Sequence, residues 1–183
     1  MRIDHSVSSA SVSWLAAMVG LGTLVIAACV VEPTHARADD GAAEGKRIWA
    51  DKGQCQECHG WAADGHAGFH TPGRPPSLRT TQLTRDQIRM TIQCGRPGTP
   101  MPHFDRFAYT DKRCYDMNAE ELGDATPVEG SPALQSYEID ALADYIATEL
   151  KGAGPVSRED CNAWFKSTAA AGCNIYPERA AAR

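Results

Sequence analysis

The sequence has 183 residues, with 18 lysines and arginines against 23 aspartates and glutamates, which gives a formal net charge of −5 at pH 7. A chain of this length fits one domain. Its mildly acidic balance argues against binding nucleic acid, and against binding anionic lipid through charge alone. Such a surface suits a protein partner that carries a basic docking patch.

The N-terminal segment has the features of an export signal. Residues 14–31 contain no charge and are mostly apolar, and Ala36-Arg37-Ala38 supplies a small-x-small cleavage pattern. We therefore expect residues 1–38 to be a secretory signal peptide that is cut after Ala38. Two alternatives stay open: Cys29 ends a loosely lipoprotein-like sequence and would then be acylated, or the apolar run is retained as a membrane anchor. Each of the three places the rest of the chain outside the cytoplasm.

The first helix of the exported part is predicted over residues 41–52. Gly45, Ile48 and Trp49 fall on one face at the i, i+3, i+4 spacing, which indicates the side that packs inward. Gly53 follows directly and is suited to end the helix.

The stretch Cys55-Gln56-Glu57-Cys58-His59 has the C-x-x-C-H spacing of a c-type haem attachment site. The thiols of Cys55 and Cys58 can add to the two vinyl groups of one porphyrin, and His59 is then placed to be the proximal axial ligand of the iron. A zinc site would need four ligands, usually from a second C-x-x-C pair, and the sequence has none. A thioredoxin-like redox pair would sit in a βαβ pattern, which the sequence does not show.

A second helix is predicted to end at Cys94. Thr84 and Gln87 form a capping-box pattern at its start, and Leu83 with Ile88 is suited to a hydrophobic staple. Gly95 is the expected stop of this helix.

The loop that follows supplies a candidate for the sixth ligand of a haem iron. Met101 lies between two prolines, which restrict the backbone and exclude a regular helix or central strand. The sequence therefore predicts Met101 as the second axial ligand on a stiff loop. His66, His70 and His103 are rival ligands, and an open site is the remaining alternative.

A last core helix is predicted over residues 136–151, with Ser136 as its cap and Gly152 at its end. Its inner stripe consists of Ile139, Leu142, Ile146 and Leu150. Residues 156–183 form a C-terminal extension, in which 157–165 is a candidate short helix.

With these motifs, the chain resembles the class I c-type cytochromes. Among them it is similar to the exported bacterial proteins that bind one haem through a histidine and a methionine. The resemblance extends from about Gly41 to Gly152. It is carried by C-Q-E-C-H at 55–59, P-S-L at 76–78, G-T-P-M-P-H-F at 98–104 and A-D-Y-I at 143–146.

The resemblance implies an all-α, cytochrome c-like fold over residues 39–155, with three main helices around one covalently bound haem c and its iron. It also implies that Gly45 lets the last helix cross the first closely, with Tyr145 as the aromatic residue packed there. The carbonyl of Pro76 is expected to accept a hydrogen bond from His59, which would fix the tautomer of the imidazole.

Residues 105–132 depart from the smallest family members, which pass almost directly from the Met loop into the last helix. Seven of these residues are acidic and three are basic. We expect either an ordered excursion that covers part of the haem or forms a docking surface, or a decorative loop. Phe107, Tyr109 and Tyr115 are its expected apolar anchors, and Cys114 is a candidate staple.

Four cysteines remain besides Cys29 and the C-x-x-C-H pair: Cys94, Cys114, Cys161 and Cys173. An even number in an exported protein predicts disulfide bonds, with three possible connectivities. The shorter loops favour Cys94–Cys114 and Cys161–Cys173.

These features predict one-electron transfer in the periplasm, in which the haem performs the redox chemistry and no catalytic side chain is needed. The chain would be a carrier, mobile or anchored, between a dehydrogenase and a terminal oxidase, or a cytochrome subunit of a periplasmic dehydrogenase. The insertion and the extension favour the subunit, because a generic carrier needs neither. A haem enzyme or gas sensor with an open or labile sixth ligand is the alternative of a different class.

Overall fold

In the computed structural model of the chain, residues 35–66, 74–166 and 171–179 are described, and all of them belong to one compact unit. Their helices are α1 (His35–Arg47), α2 (Cys55–His59), α3 (Arg85–Cys94), α4 (Ala119–Leu122), α5 (Ser136–Tyr145) and α6 (Arg158–Phe165). Helix α1 continues into a π-helical turn, Ile48–Lys52, and α5 into another, Ile146–Leu150. Single 3₁₀ turns are Gly123–Ala125 and Ala171–Ile175. The described ranges contain isolated β-bridges but no strand, so the all-α prediction is confirmed.

Helices α1 and α5 cross closely at the centre of the fold. Gly45 lies against the Ala141 carbonyl and the side chain of Tyr145, and the rings of Trp49 and Tyr145 are 6.3 Å apart between centroids. The crossing is the one that the resemblance implied for Gly45 and Tyr145. The predicted start of this helix at residue 41 is wrong, because α1 begins at His35 and its first turn contains the good helix formers Ala36, Arg37 and Ala38.

Helix α3 begins and ends where its sequence signals predict. The Thr84 hydroxyl accepts from the Gln87 backbone N–H, and the Gln87 side chain accepts from the Thr84 N–H, which completes the capping box. Gly95 follows its last residue with a φ of 64°, a backbone conformation that favours glycine. The buried side chains of Ile88 and Ile92 attach the helix to the core.

Helix α5 has the predicted inner stripe, since Ile139, Leu142, Ile146 and Leu150 are all buried. Its start differs from the prediction. The cap is Gln135 instead of Ser136, because Gln135 and Glu138 form a reciprocal capping box. Lys151 closes the helical stretch, one residue before the predicted Gly152.

The insertion 105–132 is ordered and carries a small hydrophobic cluster of its own. Cys94, Ala108, Tyr109 and Cys114 are buried together in this cluster. Tyr109 is therefore an anchor, as predicted. Phe107 is not, because 54% of its surface is exposed, and Tyr115 is only partly covered, at 37% exposed.

The C-terminal extension packs beside the segment that follows the C-x-x-C-H motif. The Trp61 ring lies 6.1 Å from that of Trp164, 5.6 Å from that of Phe165 and 5.8 Å from that of Tyr176, between centroids. The extension contains the predicted short helix, α6, which Ser157 caps.

The other four cysteines form two disulfide bonds, in the connectivity that closes the shorter loops, as predicted. Cys94 and Cys114 are joined with an S–S distance of 2.06 Å, and Cys161 and Cys173 with one of 1.98 Å.

The predicted signal segment, residues 1–38, falls almost entirely outside the described ranges, as does Cys29. Within those ranges, no helix is both long and apolar enough to span a membrane.

Candidate functional site

The C-x-x-C-H motif forms a helix of its own, α2. The i, i+3, i+4 spacing of Cys55, Cys58 and His59 directs the three side chains to one face of this helix. Both cysteines are free thiols, Cys55 partly buried and Cys58 exposed. Burial raises the pKa of the Cys55 thiol to about 12, so it is protonated at neutral pH.

The backbone on either side of α2 explains why so short a helix is sharply bounded. Gln54 precedes it in the left-handed region with a φ of 49°, and Gly60 follows it with a φ of 78°. A Cβ on Gly60 would lie 2.6 Å from the carbonyl oxygen of His66, so only glycine fits there. These two residues fix the direction in which the helix faces.

His59 lies against the core with its ring 6.0 Å from that of Trp49, between centroids. Burial lowers the pKa of His59, and the nearby carbonyl of Pro76 raises it in part. The imidazole is thus neutral at pH 7, the form that binds metal. The Pro76 carbonyl lies near His59, as predicted, but it does not form a hydrogen bond of regular geometry. The buried Nδ1 atom of His59 has no such partner in the structure.

Met101 lies on the loop that follows α3 and packs against the main hydrophobic core, as Cys55 does. Its carbonyl accepts from the Arg96 N–H at 3.2 Å, and its N–H donates to the Thr99 hydroxyl at 3.3 Å. The same core includes Trp49, the contact of His59. Met101 therefore packs against the same hydrophobic core as Cys55 of the C-x-x-C-H helix.

The rival histidines are placed differently. His103 is buried, its Nδ1 lies 2.9 Å from the Asp105 carbonyl, and its ring meets that of Tyr109 in the second hydrophobic cluster. His66 is on the surface beside Asp64, with 66% of its side chain exposed. His70 lies outside the described residues.

The residues at this site fit a c-type haem. Cys55 and Cys58 are the cysteines of the described ranges that the structure leaves unpaired, at the spacing that haem attachment needs. A neutral imidazole stands on the same helix face, and one thioether packs on the adjoining core. Among the described residues, no group of three or more His, Cys, Asp or Glu side chains is arranged to hold a metal ion by itself.

Two interactions beside the site were missed by sequence reasoning. Lys52 Nζ lies 2.6 Å from both carboxylate oxygens of Glu138, which joins the end of the first helical stretch to α5. The Gln135-x-x-Glu138 pattern was an available signal for the capping box at the start of α5, but no local pattern marks Lys52 as the partner of Glu138.

The second is Arg79, which is only 6% exposed. It donates to the carbonyls of Ala62 and Gly154 and to the carboxylate of Asp160. It thereby ties the segment after the C-x-x-C-H motif to the extension, and no local pattern predicts this.

Comparison with known proteins finds one family model that spans these residues. Residues 40–119 match the family model described as cytochrome c oxidase, cbb3-type, subunit III. The match contains both the C-x-x-C-H helix and the Met101 loop. No curated protein sequence matches the chain.

One solved structure, the Kuenenia stuttgartiensis reducing HAO-like protein complex, is similar with a TM-score of 0.43 and 20% sequence identity. The similarity covers 66% of this chain and 46% of that one, so the chain spans about half the length of this structural relative.

Proposed function

We propose that this chain, which is a c-type cytochrome, transfers single electrons between redox proteins in the periplasm, with His59 and Met101 as the axial ligands of one haem. The observation that carries the proposal is the α2 helix, where two unpaired thiols and an imidazole share one face. Met101 packs on the core that adjoins this helix.

The bound haem supplies an iron that cycles between the ferrous and ferric states. The chain's own residues hold and tune it. Cys55 and Cys58 would each hold the haem by adding a thiol S–H across one of its vinyl groups, which would retain it in both redox states. His59 and Met101 would supply one nitrogen and one sulfur ligand, and a thioether ligand would raise the reduction potential relative to a second histidine.

The periplasmic location is supported by the sequence and by the cysteine pairs. Residues 14–31 are the apolar part of a predicted export signal. This signal would be cleaved after Ala38, acylated at Cys29, or retained as a membrane anchor. The other four cysteines stand in two bonded pairs, and disulfides persist mainly in oxidising compartments.

A role as the cytochrome subunit of a periplasmic dehydrogenase is supported by the two segments that a generic carrier would not need. The insertion and the extension are both folded onto the domain, through Tyr109 and Arg79 respectively. Purification under mild conditions tests this choice: a stoichiometric large subunit indicates the dehydrogenase subunit, and a protein that elutes alone indicates a carrier.

Haem attachment is tested by expression in a bacterium that matures c-type cytochromes. Wild-type protein should keep its haem after denaturation and organic extraction, at one haem per chain. Replacing Cys55 and Cys58 together by serine should release all of it. Cys161→Ser, which alters a cysteine in the extension, is the control that should keep its haem. Covalent haem in the double serine variant would contradict the proposed site.

A further inference from the structure

The insertion 105–132 borders the ten residues from Gly95 to Phe104, here called the Met101 loop. The insertion leaves the loop at Asp105 and returns beside it before α5 begins. Both its outgoing and its returning parts make hydrogen bonds to the backbone of the loop.

The outgoing part is attached where α3 passes into the loop. The Tyr109 hydroxyl donates to the Cys94 carbonyl at 2.6 Å, and the Tyr115 hydroxyl donates to the Gly95 carbonyl at 2.8 Å. The Cys94–Cys114 bond adds a covalent tie at the same point. Gly95 itself touches the far side of the loop, since a Cβ there would lie 2.7 Å from the Met101 carbonyl oxygen.

The returning part is attached on both sides of Met101. The Gly98 N–H donates to the Ala125 carbonyl at 2.8 Å. His103 donates its N–H to the Val128 carbonyl at 3.0 Å and accepts from the Gly130 N–H at 2.7 Å. Met101 therefore lies between two fixed points, three residues after one and two before the other.

The insertion is itself held in shape by internal contacts. Asn118 and Glu121 form a reciprocal capping box at the start of α4, and the Ala119 N–H donates to the Tyr109 carbonyl at 3.1 Å. Lys112 pairs with Glu121 at 2.5 Å. A segment ordered in this way can transmit restraint to the loop that it borders.

We infer that the insertion is a brace for the Met101 loop, and that Tyr115 and Tyr109 are positioning residues that keep the Met101 thioether in its ligating place. The inference rests on the proposed assignment of Met101 as an axial ligand. This role for the insertion differs from the two predicted from the sequence, which were to form a docking surface or to cover part of the haem. Its attachments are made mainly to the loop backbone, whereas Phe107, the large apolar side chain that a cover would bury, is exposed.

A brace has a measurable consequence, because an added ligand reaches the iron only when the loop opens and the methionine leaves. Imidazole is a suitable probe with the ferric, haem-loaded protein. Tyr115→Phe removes one hydrogen bond to the loop, so the binding constant for imidazole should rise about threefold to tenfold. Tyr109→Phe should act in the same direction.

Two control variants separate positioning from general stability. Tyr137 is 66% exposed, and its hydroxyl makes no hydrogen bond to a described residue, so Tyr137→Phe should bind imidazole as the wild type does. Thr84→Ala removes the cap of α3 and lowers global stability, without touching the braced loop. It should leave imidazole binding within twofold of wild type.

Equal imidazole binding by Tyr115→Phe and Tyr137→Phe would overturn the brace. So would a rise in Thr84→Ala as large as that in Tyr115→Phe, because imidazole binding would then follow global stability. Met101→Ala reports separately on the ligand. If that variant keeps the Met-to-ferric-iron absorption band, the proposed ligand set has failed. If it loses the band while the tyrosine variants behave as wild type, only the brace has failed.

Discussion

Gly45 of helix α1 lies so close to Tyr145 of α5 that a Cβ built on the glycine would fall 2.5 Å from the Tyr145 Cβ. It would also overlap the carbonyl oxygen of Ala141. The two helices therefore cross in contact through their backbones. At this crossing the Tyr145 ring packs beside the Trp49 ring, and Trp49 in turn lies beside the ring of His59. The position of His59, the proposed proximal ligand, thus depends on the absence of one methyl group in α1.

Gly45→Ala should destabilise the fold by about 1–3 kcal/mol, because the helices must separate to admit the Cβ. Gly41 is the matched control, since it lies in the same helix with no atom within 4 Å of its added Cβ. Gly41→Ala should leave stability unchanged or raise it by up to about 1 kcal/mol through helix propensity. Urea unfolding of both variants checks this, and equal effects would contradict the close crossing.

The Lys52–Glu138 pair predicts a pH-dependent contribution to stability. Burial alone would raise the pKa of Glu138, but the hydrogen bonds from Lys52 and from the Gln135 backbone outweigh it and hold the pKa below the ordinary value of 4.5. A lowered folded-state pKa stabilises the fold above the unfolded-state pKa, and this contribution disappears as the pH falls through the folded-state pKa.

Glu138→Gln keeps an acceptor for the capping box but removes the charge. At neutral pH we expect it to lose about 1–3 kcal/mol of unfolding free energy, as for a hydrogen bond to a charged group. The difference from the wild type should shrink as the pH is lowered through and below 4.5. Denaturant titrations across that range measure it, and a difference independent of pH would show that the charge is not responsible.

Arg79 is predicted to be essential for the attachment of the C-terminal extension. Arg79→Met leaves the carbonyls of Ala62 and Gly154 without this donor and removes one of the two arginines that pair with Asp160, so the loss should be about 2–3 kcal/mol. Limited proteolysis should then cut the extension faster than in the wild type. Arg85, with 35% of its side chain exposed, is the control. Arg85→Met breaks partly exposed ion pairs with Asp140 and Asp144 and one hydrogen bond to the Asp140 carbonyl, and should cost only about 1 kcal/mol.

The identity of the sixth ligand can be checked with two substitutions two residues apart. Met101→Ala should abolish the Met-to-ferric-iron absorption band. His103→Gln should keep that band and lower stability by about 1 kcal/mol, since the His103 ring bonds to the Asp105 carbonyl and packs against Tyr109. A wild-type spectrum that lacks this band, together with a low-spin spectrum that changes in His103→Gln and not in Met101→Ala, would assign His103 as the ligand.

The sequence predicts best those features that depend on local spacing. The C-x-x-C-H motif sets three side chains on one helix face, and the Thr84 capping box fixes where α3 begins, because both act over four or five residues. The inner stripe of α5 is equally local, since helical periodicity alone places Ile139 and Leu142 together.

What the sequence could not supply are interactions between distant segments. The carbonyls that Arg79 meets are backbone groups of residues 17 and about 75 positions away, which no residue pattern marks. The insertion's return beside the Met101 loop likewise depends on backbone bonds from Ala125 and Val128, whose side chains carry no signal for them. Phe107 looked like an anchor by type, but the turn in which it lies leaves it on the surface.

The central claim is that His59 and Met101 together close both axial positions of a covalently held haem. The absorption spectrum of the haem-loaded protein, oxidised and reduced, with and without carbon monoxide, tests it most directly. We predict a low-spin spectrum with the weak Met-to-ferric-iron band and no change when carbon monoxide is added to the reduced protein. A high-spin spectrum, or rapid binding of carbon monoxide, would contradict electron transfer through a closed site and indicate a haem enzyme or gas sensor.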